Sequence, residues 1–289
     1  MADLHPPDRA ARTSLPHDCA AGHDSLCVDL IRRHLSTETV GHHMLLYGGV
    51  SSTNVVLRGL ATRGAAEGTV VLAEEQVQGR GRRGRAWFSP PGLNVYVSVL
   101  LRPHIDLREV PRFSFIASLA LTEAVWAEGL PAQIKWPNDV LVDGRKVAGT
   151  LVETADAAGA LRHVIIGVGA NLNVDDEALT LTLRHEAREA TSLRAAAGRD
   201  IDRNLFAAAF LNRLERWFHV ARARDWTALL AAWRGRDGLR GHHVEIRGAG
   251  PAWQGRATGI DADGYLEVET EGGARRRVVS GEIRLLDRR

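Results

Sequence analysis

The sequence predicts an α+β protein made of one large domain and a small antiparallel β-barrel. The chain has 289 residues, which is enough to bury a substantial core and suggests one large domain plus a smaller one. Segments typical of strands and of helices alternate as far as residue 236. From about residue 237 to the end, short alternating segments are broken by Gly and Asp-Gly turns, a pattern typical of a small barrel.

Composition excludes several classes of protein. The formal net charge is only +2, so the protein has no strong positive electrostatic field that would attract nucleic acid. Cys19 and Cys27 are the only cysteines, which argues against a disulfide scaffold and fits a reducing cytosol. No apolar run approaches membrane-spanning length, and the polar start does not resemble a signal peptide. We therefore expect a cytoplasmic protein that does not associate with membranes.

The N-terminal part of the chain carries the weakest structural signals. Residues 1–43 are predicted to form a flexible segment with a disordered tail to about residue 23 and one short helix at residues 25–35. The large domain then starts with a strand at residues 44–47 and a helix at residues 55–63.

The other elements of the large domain, residues 44–236, follow from the spacing of their apolar residues. A long, mostly apolar run predicts a helix at residues 113–128, and Asp202 and Asp225 are expected to cap two further helices. Residues 175–200 carry no sharp pattern. Strands are predicted at residues 69–73, 93–99, 132–135, 140–142, 145–147, 151–154 and 163–166, and in the C-terminal domain, residues 237–289, at 243–246, 252–260, 265–269 and 275–279.

A basic loop, Gly79-Arg80-Gly81-Arg82-Arg83-Gly84-Arg85, connects two of these strands. Its glycines fit the Gly-x-Gly-x-x-Gly dinucleotide fingerprint, but that fingerprint must open a helix, and Pro90 and Pro91 prevent one here. Guanidinium groups bind carboxylate or phosphate, and glycines let backbone N–H groups approach an anion closely. The loop is therefore predicted to bind an anion and to be mobile without one. A solvated loop, or one that grips nucleic-acid phosphates, is the alternative.

Lysine is nearly absent from the chain. Among 37 basic residues only Lys135 and Lys146 are lysine, which suggests that a compact ammonium group is needed at these positions. An Asp-Gly turn at residues 143–144 predicts a hairpin that pairs Leu141 with Lys146 and Asp139 with Ala148. Asp139 and Lys146 then form either a surface ion pair or an acid and a base directed at a common ligand.

Two further segments are candidates for ligand contacts. The hydroxyl groups of Ser52 and Thr53 precede a helix, where they either cap it or bind a neutral polar ligand together with Asn54. The small residues of 167–171, Gly-Val-Gly-Ala-Asn, allow close approach of a ligand or of another backbone segment.

Four motifs in this order resemble those of biotin–protein ligases, and the match runs from about residue 44 to the C-terminus. They are Gly79–Arg85, Lys135-Trp136-Pro137-Asn138-Asp139, Lys146-Val147-Ala148-Gly149 and Gly167–Asn171. The resemblance implies a mixed-sheet catalytic domain related to class II aminoacyl-tRNA synthetases, followed by an SH3-like barrel. It also implies that biotin and Mg-ATP form biotinyl-5′-AMP, from which biotin passes to one lysine of a biotin carboxyl carrier protein.

The resemblance also implies roles for particular residues. Lys146, Arg80 and Arg82 would be catalytic, as preorganised charges that stabilise the reacting anions. The biotin-binding residues would be Ser52, Thr53, Asn54, Gln76, Gly79, Arg80, Gly81, Arg82, Lys146, Gly149 and Gly167. The ATP-binding residues would be Arg82, Arg83, Arg85, Trp87, Asp139 and Asn171. Magnesium would be held mainly by the ATP phosphates, with Asp139 on the nucleotide or metal side.

Two alternatives come from other functional classes. Some relatives are DNA-binding repressors with an N-terminal winged helix, but 43 residues with one helix are too few for three helices and a wing, so no specific DNA binding is expected. A lipoate or octanoate transferase uses a similar scaffold, but those relatives lack this arginine-rich loop. Both a monomer and a homodimer agree with the sequence.

Overall fold

The computed structural model describes residues 25–157, 159–183, 189–248 and 250–286. Within these ranges the chain forms a seven-stranded mixed sheet followed by a five-stranded antiparallel sheet. The disordered tail predicted to about residue 23 lies outside the described residues. No helix within these ranges has both the length and the apolar character needed to cross a membrane.

The elements follow the predicted order closely. The helices are α1 (Val28–Arg33), α2 (Thr53–Thr62), α3 (Phe113–Ala127), α4 (Asp176–Leu183), α5 (Leu193–Ala197), α6 (Arg203–Arg222) and α7 (Trp226–Arg234). The strands of the large sheet are β1 (Met44–Tyr47), β2 (Val70–Ala73), β3 (Val95–Leu101), β4 (Ala132–Lys135), β5 (Asp139–Val142), β6 (Arg145–Ala157) and β7 (Ala160–Ala170). The C-terminal strands are β8 (His243–Arg247), β9 (Trp253–Ile260), β10 (Leu266–Glu269), β11 (Arg275–Val278) and β12 (Glu282–Leu285).

The large sheet has the strand order β1-β2-β3-β7-β6-β5-β4. Only β1 and β2 are parallel, and the other neighbours are antiparallel, so the predicted mixed sheet is confirmed. Helix α3 packs against several strands and against α6, and most of its residues are buried, as its nearly continuous apolar sequence requires. Helix α2 packs against β2, β3 and β7 and forms the smaller of the two apolar clusters with them.

The region without a sharp pattern, residues 175–200, contains the short helices α4 and α5. Ser192 caps α5 by accepting a hydrogen bond from the backbone N–H of Ala195, and Gly198 ends the helix in the left-handed conformation. These capping signals were present in the sequence, but the helices are too short to show a clear apolar period.

The described part of the segment before β1 contains the predicted short helix, α1, and contacts the large domain, whereas flexibility of residues 1–43 stays a prediction. The Glu215 carboxylate on α6 accepts hydrogen bonds from three successive backbone N–H groups, at residues 38–40, at 2.6–2.8 Å. Leu26 and Ile31 are buried in the main core. The sequence could not show this, because the partners lie about 175 positions away along the chain.

We expect Glu215→Gln to destabilise the protein strongly. The Glu215 side chain is buried, and an amide would direct its NH₂ group at a backbone N–H that now meets a carboxylate oxygen. The free energy of unfolding should fall by about 2–3 kcal/mol in urea titrations. Glu128→Gln is the matched control, because Glu128 accepts from the exposed Arg199 at the surface. Equal stability of the two variants would show that Glu215 does not hold this segment.

Cys27, which precedes α1, is disulfide-bonded. This differs from the reduced cysteines that the composition suggested, because no paired Cys-x-x-Cys spacing marked a bond in advance. The backbone N–H of Cys27 also donates to Asn204 Oδ1 at 2.8 Å, and Asn204 donates to the Ser25 carbonyl group. The disulfide bond and the two hydrogen bonds with Asn204 therefore hold the same short segment, residues 25–27.

The hairpin of β5 and β6 turns at Asp143 and Gly144, both with positive φ, as a two-residue turn requires. Leu141 pairs with Lys146 as predicted. A β-bulge then shifts the register, so Asp139 pairs with Gly149 and not with Ala148. The prediction assumed an unbroken ladder, whereas a bulge adds one residue to one strand.

The C-terminal strands form an antiparallel sheet in the order β11-β10-β9-β8-β12. The antiparallel arrangement is confirmed, whereas closure into a barrel stays a prediction. Strand β12, which follows Ser280-Gly281 directly, was missed.

The two sheets share one apolar core, which fixes the C-terminal domain beside the large one. The indole N–H of Trp136 donates to the Gly264 carbonyl oxygen at 2.9 Å. Phe115 on α3 packs against the same glycine, where a Cβ would lie only 2.5 Å from the ring. The C-terminal domain is thereby held beside the motif that contains Trp136.

Candidate functional site

One cavity of about 500 Å³ collects the motifs of the large domain. It lies between the N-terminus of α2, the basic loop, the β5–β6 hairpin and the C-terminal domain. Of the residues predicted to bind biotin or ATP, the cavity is lined by Ser52, Thr53, Asn54, Gln76, Arg80, Gly81, Arg82, Arg83, Arg85, Trp87, Asp139, Lys146, Gly149, Gly167 and Asn171. The tertiary structure therefore brings together groups from segments that are up to 119 positions apart in sequence, since 171 − 52 = 119.

Gly79 is the one predicted site residue outside this lining. It is buried at the base of the basic loop, where its carbonyl oxygen accepts from the Trp87 backbone N–H at 2.8 Å. A Cβ at this position would lie 2.5 Å from the Trp87 carbonyl oxygen. Gly79 therefore allows the two ends of the loop to approach closely.

The basic loop has the predicted arrangement of strand, loop and strand, and it folds into a small hairpin. The Gly81 N–H donates to the Arg85 carbonyl oxygen at 2.7 Å, and Arg83 has a positive φ of 57°. The Arg82 guanidinium donates to Asn138 Oδ1 at 3.0 Å, and its burial lowers its pKa, with Asp139 opposing that shift. Guanidinium groups remain protonated in proteins, so Arg82 is a fixed, partly desolvated cation. Mobility of this loop without ligand stays a prediction.

The C-terminal domain holds the tip of the basic loop. Arg85 forms an ion pair with Glu282 on β12, and Arg83 donates to the Arg247 carbonyl oxygen at 3.4 Å. The hydrogen bond from Arg85 lowers the pKa of the Glu282 carboxyl group. Sequence analysis missed Glu282 and Arg247, because nothing in either strand shows that it meets a loop from the other domain.

We expect Glu282→Gln to make the basic loop more mobile than in the wild type, and the difference between the two proteins should depend on pH. Because the folded-state pKa of Glu282 is lowered, the contact is present above the ordinary glutamate pKa of 4.5 and is lost as the pH falls. At pH 7 residues 79–86 of the variant should exchange amide hydrogens faster than those of the wild type. The ratio of the two rates should approach one as the pH falls below that value. A ratio of one at pH 7 would show that the C-terminal domain does not hold the loop.

Lys146 and Asp139 form the predicted ion pair, with Lys146 Nζ 2.7 Å from Asp139 Oδ1. Both side chains are partly exposed and line the cavity. Gly149 leaves room for them, because a Cβ there would lie 3.2 Å from both charged atoms. The ammonium group also lies 5.0 Å from the centre of the Trp87 ring. The ion pair therefore faces the cavity beside an aromatic surface.

Trp87 rests on the backbone of β7 at Gly169. A Cβ on Gly169 would lie 2.3 Å from the Trp87 indole nitrogen, so only glycine permits this contact. The indole nitrogen is buried and has no hydrogen-bond partner among the described residues. Gly167, two residues earlier on the same face, accommodates Asn54 in the same way, because a Cβ on Gly167 would lie 2.2 Å from Asn54 Oδ1. The two glycines of the fourth motif therefore seat two different cavity residues.

The N-terminus of α2 is capped by Gln76, which corrects the capping alternative for Ser52 and Thr53. The Ser52 side chain makes no capping hydrogen bond. Instead, Gln76 Oε1 accepts from the Thr53 backbone N–H at 2.9 Å, and Gln76 Nε2 donates to Ser89 Oγ at 3.1 Å. The side chain of Gln76, which is 23 positions away along the chain, therefore replaces a local N-cap, and the hydroxyl groups at the cavity are not used for capping.

Asn54 is buried and is held by residues that sequence analysis missed. Its Nδ2 donates to Glu153 Oε2 at 2.7 Å, and its Oδ1 lies 2.6 Å from Ser98 Oγ. Arg58, one turn later on α2, forms an ion pair with Glu153 at 2.6 Å. Ser98 was detectable as a polar residue in the apolar strand β3.

Asn171 lies at the end of β7, next to the segment before α5. Its Nδ2 donates to the Thr191 carbonyl oxygen at 3.2 Å, and the Thr191 N–H donates to the Lys146 carbonyl oxygen at 2.9 Å. Leu179 on α4 and Glu189 also line the cavity. The region without a sharp sequence pattern therefore contributes to the site.

No group of three or more metal-ligating side chains occurs in the part of the chain that the structure describes. Asp139, the residue expected on the metal side, has one carboxylate oxygen occupied by Lys146. Magnesium is commonly held by one or two carboxylates together with substrate phosphates. The residues present fit that mode of binding.

Comparison with known proteins identifies both domains. Residues 49–171 match the Biotin/lipoate A/B protein ligase family, and residues 241–286 match the Biotin protein ligase C terminal domain. The chain is 35% identical over 256 residues to the bifunctional ligase/repressor BirA of Bacillus subtilis, covering 88% of this chain and 78% of that protein. It is 33% identical over 231 residues to the biotin–[acetyl-CoA-carboxylase] ligase of Paracoccus denitrificans, covering 79% of this chain and 94% of that protein.

A solved structure agrees with this assignment. The biotin protein ligase from Aquifex aeolicus in complex with biotin and ATP is similar with a TM-score of 0.71 and 27% identity, covering 84% of this chain and 98% of that chain. The chain therefore belongs to the Biotin/lipoate A/B protein ligase family and is a biotin protein ligase.

Proposed function

We propose that this cavity joins biotin to the α-phosphate of ATP and then passes biotin to a lysine of a biotin carboxyl carrier protein. One observation carries the proposal: a neutral polar end, a cationic centre and an aromatic surface line the same cavity. Ser52, Thr53 and Asn54 form the neutral end, which suits the ureido group of biotin. Trp87 supplies a surface on which adenine can stack.

The first step brings two anions together. A biotin carboxylate oxygen attacks the α-phosphorus, a P–O bond forms, and the bond to pyrophosphate breaks. Charge accumulates on the phosphate oxygens, so fixed cations at this point lower the barrier. Lys146 pairs with Asp139, and Arg82 donates to Asn138, so each cation has a partner that fixes its position in the cavity.

Arg80 and the other arginines of the basic loop complete the positive surface. Arg80 is exposed and lines the cavity, whereas Arg83 and Arg85 reach the C-terminal domain. We assign Arg83 and Arg85 to the nucleotide side, with Asn171 near the adenosine. A loop held over the cavity also keeps water from the acyl-adenylate, which would otherwise be hydrolysed.

Magnesium, when bound, neutralises the phosphate oxygens of ATP. We propose that the phosphates mainly hold it, and that Asp139, one of the carboxylates that line the cavity, contributes from the protein.

In the second step the amine of the carrier lysine attacks the acyl carbon, an amide bond forms, and AMP leaves. The acetyl-CoA-carboxylase ligase of Paracoccus denitrificans points to a carboxylase carrier as the acceptor for this chain.

Calorimetry with biotin, alone and with ATP, followed by transfer of labelled biotin to a purified carrier domain, tests the proposal. Biotin should bind, pyrophosphate should be released only when both substrates are present, and label should appear on the carrier. Lipoic and octanoic acids, which lack a ureido group, should neither bind nor be transferred. Transfer of either acid in place of biotin would overturn the assignment in favour of the lipoate branch of the family.

A further inference from the structure

A chain of five polar side chains runs from the cavity to an ion pair between α2 and β6. Thr53 Oγ1 lies 2.7 Å from Ser98 Oγ, and Ser98 Oγ lies 2.6 Å from Asn54 Oδ1. Asn54 Nδ2 lies 2.7 Å from Glu153 Oε2, and Glu153 Oε1 lies 2.6 Å from an Arg58 nitrogen. We refer to these residues as the polar chain.

The charged end sets the direction of every hydrogen bond in the polar chain. A glutamate paired with a guanidinium group can only accept, so Glu153 must meet the NH₂ group of Asn54. The Asn54 oxygen therefore faces Ser98 and must receive a proton there. Ser98 has one hydroxyl proton, which it gives to Asn54, so its own oxygen accepts from Thr53.

Gln76 Oε1 is a second possible acceptor for the Thr53 hydroxyl proton, and its distance agrees with this direction. Gln76 Oε1 lies 3.2 Å from Thr53 Oγ1, farther than Ser98 at 2.7 Å, and a hydroxyl group has a single proton. Gln76 Oε1 already accepts the Thr53 backbone N–H at 2.9 Å. The Thr53 hydroxyl proton can therefore point to Ser98 without leaving the Gln76 oxygen unsatisfied.

We infer that Glu153 and Arg58 are positioning residues that make Thr53 a hydrogen-bond acceptor for the ligand. With its proton directed at Ser98, the Thr53 oxygen keeps lone pairs for a ligand N–H group. Biotin offers ureido N–H donors, whereas the tails of lipoate and octanoate have none. The inference rests on the proposed function, because it requires the ureido group of biotin to lie at this end of the cavity.

A single substitution should reverse the polar chain. In Glu153→Gln the Arg58 guanidinium, which can only donate, holds the carbonyl oxygen of the new amide. The NH₂ group of that amide then faces Asn54 and turns the Asn54 oxygen toward it. Ser98 now accepts from Asn54 and donates to Thr53, so one Thr53 lone pair is occupied and the Thr53 proton must turn to Gln76 Oε1, at 3.2 Å, or to the ligand. The Thr53 oxygen then has one lone pair fewer for the ureido N–H, and its proton opposes that N–H whenever it points into the cavity.

The reversal predicts rescue by a second substitution. In Arg58→Met with Glu153→Gln, the new amide is free to rotate and to present its oxygen to Asn54 again. Removing a second polar group should thus improve binding, which a merely structural role for these residues would not produce. Arg58→Met alone retains the carboxylate, so the direction of the polar chain is kept.

Calorimetric titration of biotin into these variants, with ATP titrated separately, tests the inference. We expect Glu153→Gln to raise the Kd for biotin by about tenfold, corresponding to one lost hydrogen bond. The double variant should recover to within about threefold of the wild type, and Arg58→Met alone should weaken binding by no more than about threefold. The Kd for ATP should stay within about twofold, and Glu128→Gln should bind biotin like the wild type.

Wild-type affinity of Glu153→Gln, or a double variant no better than the single one, would overturn the inference. Ser98→Ala keeps the test open if Glu153→Gln does not fold, which melting curves will show. Without the Ser98 hydroxyl the Thr53 proton loses its nearer acceptor and is left with Gln76 Oε1 at 3.2 Å, so biotin affinity should fall about threefold, whereas unchanged affinity would also overturn the inference. A wild-type protein that does not bind biotin would instead contradict the proposed function.

Discussion

Lys146→Arg should retain the fold and much of the biotin affinity while adenylation slows about a hundredfold or more. The Lys146 ammonium group lies 2.7 Å from Asp139 and 5.0 Å from the centre of the Trp87 ring, and its Cε would lie 3.1 Å from a Cβ on Gly149. A single ammonium group can donate to the biotin carboxylate and to the α-phosphate at once. A guanidinium group is longer and planar, so in this space it would hold the reacting groups apart.

Pyrophosphate release, measured beside a melting curve, checks this expectation. Lys146→Met is the matched variant, because it removes the charge and retains most of the length of the unbranched side chain. If geometry matters as much as charge, the arginine and methionine variants should both adenylate slowly, although arginine can still pair with Asp139. An arginine variant that melts normally and adenylates at the wild-type rate would reduce Lys146 to half of an ion pair.

Substituting the two glycines of β7 should separate binding of the two substrates. Gly169→Ala would place a Cβ 2.3 Å from the Trp87 indole nitrogen and so displace the ring. Loss of a stacking surface is expected to weaken ATP binding by about 10- to 100-fold. Gly167→Ala would instead place a Cβ 2.2 Å from Asn54 Oδ1, and the hydrogen bonds of Asn54 oppose any compensating movement. That variant should lose biotin affinity by a similar factor.

Separate titrations of biotin and of ATP into both variants check this division. Gly272→Ala is the matched control, because no described heavy atom lies within 4 Å of a Cβ at that position. The control should bind both substrates like the wild type. Equal losses of both affinities in the two β7 variants would show a general collapse of the cavity and would contradict separate seats for Trp87 and Asn54.

The sequence defined the elements of this protein well where the signals are local. The buried helix α3, the caps at Asp202 and Asp225, and the turn at residues 143–144 were all predicted from residues within a few positions of one another. Predictions failed where several short elements lay together, as in α4 and α5, and at β12, which follows β11 after only three residues. In those places the local preference is too small to identify an element before tertiary packing adds to it.

In the candidate site, too, features with a local sequence signal could be predicted and features that depend on tertiary packing could not. The motifs with Arg82, Lys146 and Gly167 could be found from the sequence, because a basic loop, a rare lysine and a pair of glycines each leave a visible pattern. The ion pair of Asp139 and Lys146 was predicted, yet the bulge that sets its register was not. A bulge depends on how two strands pack and leaves no fixed mark in either strand.

The chemical groups of the site, namely the cations, the neutral polar end and the glycines, can be identified from the sequence alone. Which of these groups face one another, and which distant side chains hold them, depends on the fold. Gln76 caps α2 in place of Ser52, Glu282 holds the basic loop, and Glu153 orients Asn54, each from a separate segment of the chain. Hydrogen bonds and ion pairs form between atoms that are close in space, and the fold sets those distances, so partners remote in sequence leave no periodic signal in either segment.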